Sequence, residues 1–254
     1  AHKARQRQSK EEKVYRYDVI PYKKIWEILN WNLDHECETI EKLNKHIENK
    51  TIGDLVLEAE NAYHEDVEWA AKAILERKDK LRMVIIAGPS SSGKTTTMMK
   101  VAEFLKKQGI NLIALNIDNY FFDLEHQPKD EFGDYDFETP EALDLPLINQ
   151  HLSDLMQYKP IQMPKYDFKT GTRSSKTTKF EIQKDTIILI DTLHGLYEPM
   201  TESVPQDSKF KLYIETLSQL KDENKQFTRW TDIRLLRRMT RDQLRRAYNP
   251  KMTI

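Results

Sequence analysis

The sequence has little cysteine, little glycine and no long apolar run. Cys37 is the only cysteine among 254 residues, so no disulfide can form within the chain, as is typical of proteins kept in a reducing compartment. Seven glycines stand against 32% charged residues, which favours a helix-rich protein with a modest sheet. No apolar stretch reaches the length of a membrane span, and the first residues are polar. We therefore expect a soluble cytoplasmic protein with no membrane partner.

The charges of the chain nearly cancel. Forty Lys and Arg residues against 41 Asp and Glu residues leave a formal net charge of −1. No global field therefore draws the chain to nucleic acid or to anionic lipid. A length of 254 residues allows one or two domains with an ample core.

One segment carries a phosphate-binding signature. Residues 88–95 read GPSSSGKT and match the pattern G-x-x-x-x-G-K-[ST] at every fixed position. In such a loop the backbone N–H groups surround a polyphosphate, Lys94 reaches its β and γ phosphates, and the Thr95 hydroxyl ligates Mg²⁺. An apolar strand precedes the loop and a helical pattern follows it, so we predict ATP or GTP binding. The predicted nucleotide-binding residues are Gly88, Ser90, Ser91, Ser92, Gly93, Lys94, Thr95 and Thr96.

The order of helix and strand signals divides the chain into two regions. Residues 1–80 contain no strand signal and form the first predicted domain; beyond them strands and helices alternate, which predicts a parallel sheet covered on both faces. The fold class is therefore α/β, a P-loop NTPase-type sheet flanked by helices, with an N-terminal helical region and a second domain at 81–254. The predicted helices are 22–31, 38–49, 52–81 with one break near Tyr63, 95–107, 140–156 and 232–248; the predicted strands are 83–87, 111–117, 186–190 and 209–214; a hairpin outside the sheet joins 161–163 to 178–182.

Two carboxylates follow predicted strands. Asp118 comes after the strand that ends at 117, and Asp191 after the strand that ends at 190. Ligands of open parallel sheets bind at the carboxyl ends of strands, so both side chains should face the γ-phosphate. Phosphoryl transfer needs one carboxylate for Mg²⁺ and often another to accept a proton. The alternative for each is that it only caps a loop or helix.

A late helix carries a row of arginines. Arg234, Arg237, Arg238, Arg241 and Arg245 recur at spacings that place them on one helical face. Guanidinium groups bind phosphoryl oxygens in bidentate fashion, so this helix could close over the nucleotide as a lid at 231–248. Charge spacing alone favours a solvated surface helix instead, and a weak nucleic-acid patch is a third alternative.

Further motifs resemble a known family. They are DNYF from Asp118, DYDFETPEALD from Asp134, PKYDF from Pro164, DTLHGL from Asp191 and DIRLLRR from Asp232. Together with the phosphate loop, these motifs resemble the uridine kinase and phosphoribulokinase family over about residues 82–248. The nearest branch has an upstream region similar to part of threonyl-tRNA synthetase, and residues 20–80 resemble the tail of that region, most of all at 54–64.

The resemblance implies roles for individual residues. Asp118 matches the family's catalytic base, Asp191 a carboxylate of the metal site, and Glu138 a position that binds ribose hydroxyls. The implied catalytic residues are Asp118, Lys94, Arg237, Arg238 and Arg241; the implied metal ligands are Thr95, Asp191 and Asp118; the implied substrate residues are Tyr120, Phe137, Glu138, Tyr166, Phe168 and Arg173. The cofactors implied are ATP and Mg²⁺.

Two positions depart from the family pattern. Asp191 and Thr192 stand where the family usually has Glu followed by Gly, so the carboxylate is one methylene shorter and the next residue is bulkier. This change could shift the metal geometry or reduce activity. Gly171 stands where uridine kinases often have a His that reads the pyrimidine base, which weakens the case for uridine itself.

We therefore predict an ATP-dependent kinase that transfers the γ-phosphoryl group to a hydroxyl of a nucleoside-like acceptor with the help of Mg²⁺. Two alternatives stay open: a kinase of the same fold for a sugar phosphate or another alcohol, and a weakly active nucleotide-binding module with a regulatory or RNA-associated role. Nucleic acid is not expected to bind the kinase domain. The choice of ATP over GTP and the oligomeric state, including a possible homo-oligomer, are left open. The family continues past the lid, so we expect the chain to be part of a longer one.

Overall fold

The computed structural model describes residues 21–246, except for the side chains of the last two. The end of the predicted lid helix and the side chain of Arg245 therefore lie outside the described residues. By contacts the chain divides into two compact units, whose described parts are residues 21–55 with 217–230 and residues 56–216 with 231–246.

The first unit contains the first two predicted helices and a returning segment. Helix α1 spans Tyr22–Asp34 and helix α2 spans Ile40–Glu48, which confirms both predictions. The Thr39 side chain caps α2 by accepting a hydrogen bond from the backbone N–H of Lys42 at 3.2 Å. Lys221 lies beside the start of α2, and its carbonyl accepts the N–H of Ile40 at 2.9 Å.

Helix α3 runs without interruption over Ile52–Leu75, so the predicted break near Tyr63 and the predicted end at residue 81 are both wrong. No proline or glycine lies between residues 54 and 75, and the buried side chains of Val67, Ala71 and Ile74 recur at helical spacing across the doubtful region. The polar run after Tyr63 only marks the exposed face. Apolar contact with the α/β unit, rather than local sequence, carries the helix past that point.

Short strands and three more helices complete the second unit. Strands β1 (Met83–Ala87) and β2 (Asn111–Ala114) come first; β3 (Ile161–Met163), β4 (Tyr166–Asp167), β5 (Thr172–Arg173) and β6 (Thr178–Phe180) form the hairpin region; β7 (Thr186–Thr192) and β8 (Lys209–Tyr213) follow. The helices are α4 (Lys94–Lys107), α5 (Leu145–Met156) and α6 (Trp230–Arg246).

The central sheet is parallel, with the strand order β2-β7-β1-β8. Alternate residues of β1 enter different apolar clusters: Ile85 packs with Ile148 and other residues of α5, whereas Ile86 packs with Val101 of α4 and with α3. Helices therefore cover both faces of the sheet, as the alternating pattern predicted.

Three predicted boundaries need correction. Strand β2 ends at Ala114, and a 3₁₀ turn follows because the Asn116 side chain accepts the N–H of Asp118 at 3.0 Å. Strand β7 continues to Thr192, so Asp191 lies inside the strand rather than after it. Helix α5 begins at Leu145 instead of 140, since Asp144 caps it by accepting the N–H of Leu147 at 3.1 Å.

The hairpin lies outside the central sheet, as predicted. Strand β3 pairs with β6, and the shorter pair of β4 and β5 lies between them along the chain; both pairs are antiparallel. Within residues 21–246, no helix is long and apolar enough to cross a membrane. The domain boundary at residue 80 stays a prediction.

Candidate active site

The phosphate loop joins β1 to α4. Lys94 is the first residue of α4, and its Nζ donates a hydrogen bond to the carbonyl of Pro89 at 3.0 Å. The hydroxyls of Ser91 and Ser92 are buried and have no hydrogen-bond partner among the described residues. Buried hydroxyls are seldom left unpaired, so these two fit a loop that binds a group rich in oxygen atoms.

Charged groups from three strand ends meet at Lys94. Burial lowers the pKa of Lys94, while the negative charges of Asp191 and Asp118 raise it. The carboxyl ends of β1, β2 and β7 thus bring these three side chains within electrostatic reach of one another. The parallel sheet places them together although they lie far apart in sequence.

Thr95 and Asp191 form the oxygen pair that could hold a cation. The Thr95 hydroxyl donates a hydrogen bond to Oδ2 of Asp191 at 2.5 Å. Mg²⁺ bound to nucleotides takes one or two protein oxygens and completes its shell with phosphates and water. The described residues contain no group of three or more His, Cys, Asp or Glu side chains suited to a metal. The pair therefore fits a nucleotide-bound Mg²⁺.

Asp118 lies in the 3₁₀ turn after β2. Part of its side chain is exposed to solvent, while neighbouring residues surround its carboxyl group. Burial raises the pKa of its carboxyl, the charge of Asp191 raises it further, and Lys94 opposes the rise. A higher pKa makes a carboxylate a better proton acceptor. No described residue donates a hydrogen bond to the carboxylate of Asp118, and the bond to Asp191 comes from Thr95, so we find neither carboxylate capping a helix.

The structure accommodates the unusual residue after Asp191. Thr192 is buried, and its Oγ1 accepts the backbone N–H of His194 at 3.3 Å. The hydroxyl thus stabilises the turn that follows β7. A threonine at this position has a structural use of its own, which the sequence did not reveal.

The arginine face of α6 lies at the phosphate loop. The Nε of Arg237 donates a hydrogen bond to the carbonyl of Ser91 at 3.1 Å, and Arg234 forms an ion pair with Glu215 at 3.1 Å. Arg238 and Arg241 are half-buried, and the charge of Arg241 lowers the pKa of Lys94. The contact between Arg237 and Ser91 supports the lid alternative over the solvated surface helix that spacing alone favoured.

A cluster of aromatic rings surrounds Phe121, three residues after Asp118. Phe121 contacts Phe137, Tyr166 and Phe168 with ring centroids 5.6, 5.7 and 5.9 Å away. The cluster unites three of the predicted substrate residues, which come from the loop at 122–142 and from the hairpin. Phe168 is 63% exposed, so the cluster offers apolar ring surface to a ligand.

Two other predicted substrate residues have structural contacts. Tyr120 is fully buried, and its hydroxyl shares a 2.9 Å hydrogen bond with Nδ1 of His151, which places it in the core and not in the cleft. Arg173 donates to the carbonyl of Phe121 at 2.8 Å, to the carbonyl of Tyr120 at 2.7 Å, and to Asp144 at 2.9 Å. These bonds, called the Arg173 clamp below, tie the hairpin to the turn that carries Asp118.

The last two positions, Glu138 and Gly171, differ in burial, because Gly171 is buried. Glu138 is exposed, and its N–H donates to Asp136 at 3.0 Å. Gly171 has a φ of +68°, and a Cβ there would lie 3.1 Å from Cβ of Leu124. A side chain at Gly171 would be both strained and blocked. The local conformation of the hairpin therefore favours glycine over a base-reading side chain at this position.

The sheet, the phosphate loop and the carboxylates at its edge define a P-loop kinase. The chain belongs to the Phosphoribulokinase / Uridine kinase family, whose model matches residues 83–252.

Known proteins of this family resemble the chain over about two thirds of its length. The uridine kinase of Bacillus pumilus is 32% identical over 170 residues, which cover 67% of this chain and 71% of the relative. The uridine kinase of Deinococcus deserti is 29% identical over 169 residues, covering 66% and 72%. A solved structure titled as a possible uridine kinase from Bacillus stearothermophilus aligns with a TM-score of 0.50 at 18% identity, over 72% of this chain and 96% of that one. This last likeness supports the fold alone.

Proposed function

We propose that the protein is an ATP-dependent kinase that phosphorylates a hydroxyl of a nucleoside-like acceptor, with Mg²⁺ held by Thr95 and Asp191. The observation that carries the proposal is Asp118, a carboxylate with a raised pKa and no hydrogen bond from the described residues, beside Lys94 at the sheet edge. The two relatives described above are both named uridine kinase, which supports a nucleoside-like acceptor.

In the proposed reaction, Asp118 accepts the proton of the acceptor hydroxyl. The freed oxygen attacks the γ-phosphorus, the bond to the β-phosphate oxygen breaks, and ADP leaves. Lys94 and the arginines Arg237, Arg238 and Arg241 stabilise the charge on the transferring group. Bound Mg²⁺ would neutralise charge on the β and γ phosphates. The rest of the catalytic effect comes from holding the acceptor hydroxyl and the γ-phosphate in line with each other.

The aromatic cluster favours a nucleoside over a sugar phosphate. The exposed rings of Phe137 and Phe168 match the flat face of a base, whereas a sugar phosphate has no surface of that kind. We also propose a reducing, cytoplasmic location, which the single, unpaired and buried Cys37 supports.

The proposed function is tested by the release of ADP. Purified protein with ATP and Mg²⁺ is screened against ribonucleosides, sugar phosphates and a pantothenate-like alcohol, and GTP is then tried as donor. We expect ADP release with at least one nucleoside and little with the other acceptors. Release with a sugar phosphate alone would refute the acceptor class, and nucleotide binding without release on any acceptor would refute the kinase proposal.

A further inference from the structure

His194 lies at the carboxyl end of β7, two residues after the strand and three residues after Asp191. Two backbone bonds fix its turn, since its N–H donates to Thr192 and its carbonyl accepts the N–H of Tyr197 at 2.8 Å. The next residue, Gly195, packs so closely on β1 that a Cβ there would lie 2.5 Å from a methyl group of Ile85. The backbone that carries His194 is therefore held firmly against the strand below the phosphate loop.

The ring of His194 has polar atoms without a protein partner. It is half-buried, and neither ring nitrogen forms a hydrogen bond or ion pair with any residue in the described part of the chain. The charged groups that act on it belong to Glu141 and Asp136, on the loop that also carries Phe137. Neither ring nitrogen is among the buried atoms that lack a partner in the described residues, so both are accessible to a ligand.

The ring is neutral at physiological pH. Burial lowers the pKa of His194 to about 4, against the opposing charges of Glu141 and Asp136. A neutral imidazole has one N–H donor and one nitrogen acceptor, which complements a hydroxyl group, itself both donor and acceptor.

The hairpin offers no such group at residue 171. Gly171 has no side chain, and Leu124 occupies the space that one would need. The strand ends and the loop at 122–142 are other sources of polar groups, and His194 is near both, since it follows β7 and the charges of Glu141 and Asp136 act on it.

We propose that His194 is a specificity-determining residue that hydrogen-bonds a sugar hydroxyl of the acceptor other than the one that is phosphorylated. The inference rests on the proposed function, because it assumes that the acceptor binds between Asp118 and the aromatic cluster. Glu141, on the facing loop, supplies a carboxylate beside the same hydroxyl. His194 takes no part in the transfer of the proton or the phosphoryl group.

The test compares His194→Leu and His194→Gln with the unchanged protein, using uridine, 2′-deoxyuridine and 3′-deoxyuridine as probes. We expect His194→Leu to raise KM for uridine about tenfold, with kcat and KM for ATP within about twofold, because one hydrogen bond is lost in binding alone. The variant should also lose the preference for uridine over one deoxy analogue. His194→Gln, which keeps a donor and an acceptor, should retain part of that preference.

Two further measurements separate the outcomes. His126→Leu, at an exposed histidine on the same loop as Phe137, is the matched control and should change nothing. Calorimetric binding of uridine in the presence of a non-hydrolysable ATP analogue tests His194 even if the unchanged protein releases no ADP. An equal loss for uridine and both deoxy analogues, or an unchanged preference in His194→Leu, would overturn the inference. If His194→Leu binds uridine more weakly than the unchanged protein does, but neither protein releases ADP, only the kinase proposal is refuted.

Discussion

The donor side and the acceptor side of the site differ in how they are built. On the donor side, one contiguous loop supplies Lys94 and Thr95. Backbone carbonyls of the same loop accept hydrogen bonds from Lys94 and from Arg237. On the acceptor side, side chains come from the turn after β2, the loop at 122–142, the hairpin and the end of β7. Phosphate groups are alike in every nucleotide, so a fixed motif serves them. An acceptor is recognised by scattered side chains, which can change one at a time.

The largest expected effect breaks the donor side. Lys94→Ala should lower kcat by more than about 10³-fold, because it removes the cation that faces the β and γ phosphates. ADP release with ATP and uridine measures the loss. Lys100→Ala, on the same helix and in an exposed ion pair with Glu60, should keep nearly full activity. Equal losses in both variants would show that the effect comes from damage to α4.

Asp118→Asn tests the point where the two sides meet. We expect kcat to fall about 10²- to 10³-fold, because the amide cannot accept the proton of the acceptor hydroxyl. The affinity for ATP should change little, since Asp118 forms no bond within the phosphate loop. Stopped-time ADP assays and equilibrium binding of ATP measure the two quantities. Full turnover in Asp118→Asn would mean that another group is the base.

Gly171→Ala tests the blocked position on the acceptor side. Its positive φ and the contact with Leu124 should together cost about 2–3 kcal/mol in the free energy of unfolding. Gly133→Ala is the matched control: its φ is +87° but nothing lies within 4 Å of the added Cβ, so only backbone strain of about 1 kcal/mol is expected. Urea unfolding measures both. If the two variants lose the same free energy of unfolding, the contact of the added Cβ with Leu124 contributes nothing to the loss.

The smallest expected effect concerns pH and the acceptor side. Burial lowers the pKa of His151 and of His194, so below pH 6.5 the unfolded chain binds protons that the folded chain does not. The contribution of these two histidines to the free energy of unfolding is fully present above pH 6.5. It is lost as the pH falls, down to about pH 4 for His194. His194→Gln should therefore lose less stability between pH 7.5 and pH 5 than the unchanged protein, by about 2 kcal/mol at most. A loss equal to that of the unchanged protein would contradict the burial of the ring.

The same contrast explains what could be predicted from the sequence. The fully buried β1, the phosphate loop and the alternation of strands and helices follow from local periodicity, and the structure confirms them. The burial of Tyr120 could not be predicted, because its partner His151 lies on a helix 31 residues away. The early end of β2 depends on one side chain, Asn116, that competes for the backbone. The resemblance of residues 20–80 to a synthetase region and the roles of the site residues stay predictions.

The Arg173 clamp has a consequence for engineering this family. Arg173 binds the carbonyls of Tyr120 and Phe121, which lie two and three residues after Asp118. These hydrogen bonds hold the hairpin to the segment that carries the proposed base. Grafting a hairpin from a relative with another acceptor would disturb the position of Asp118 unless the turn after β2 were transplanted with it. New specificity in this scaffold therefore requires exchange of both segments together.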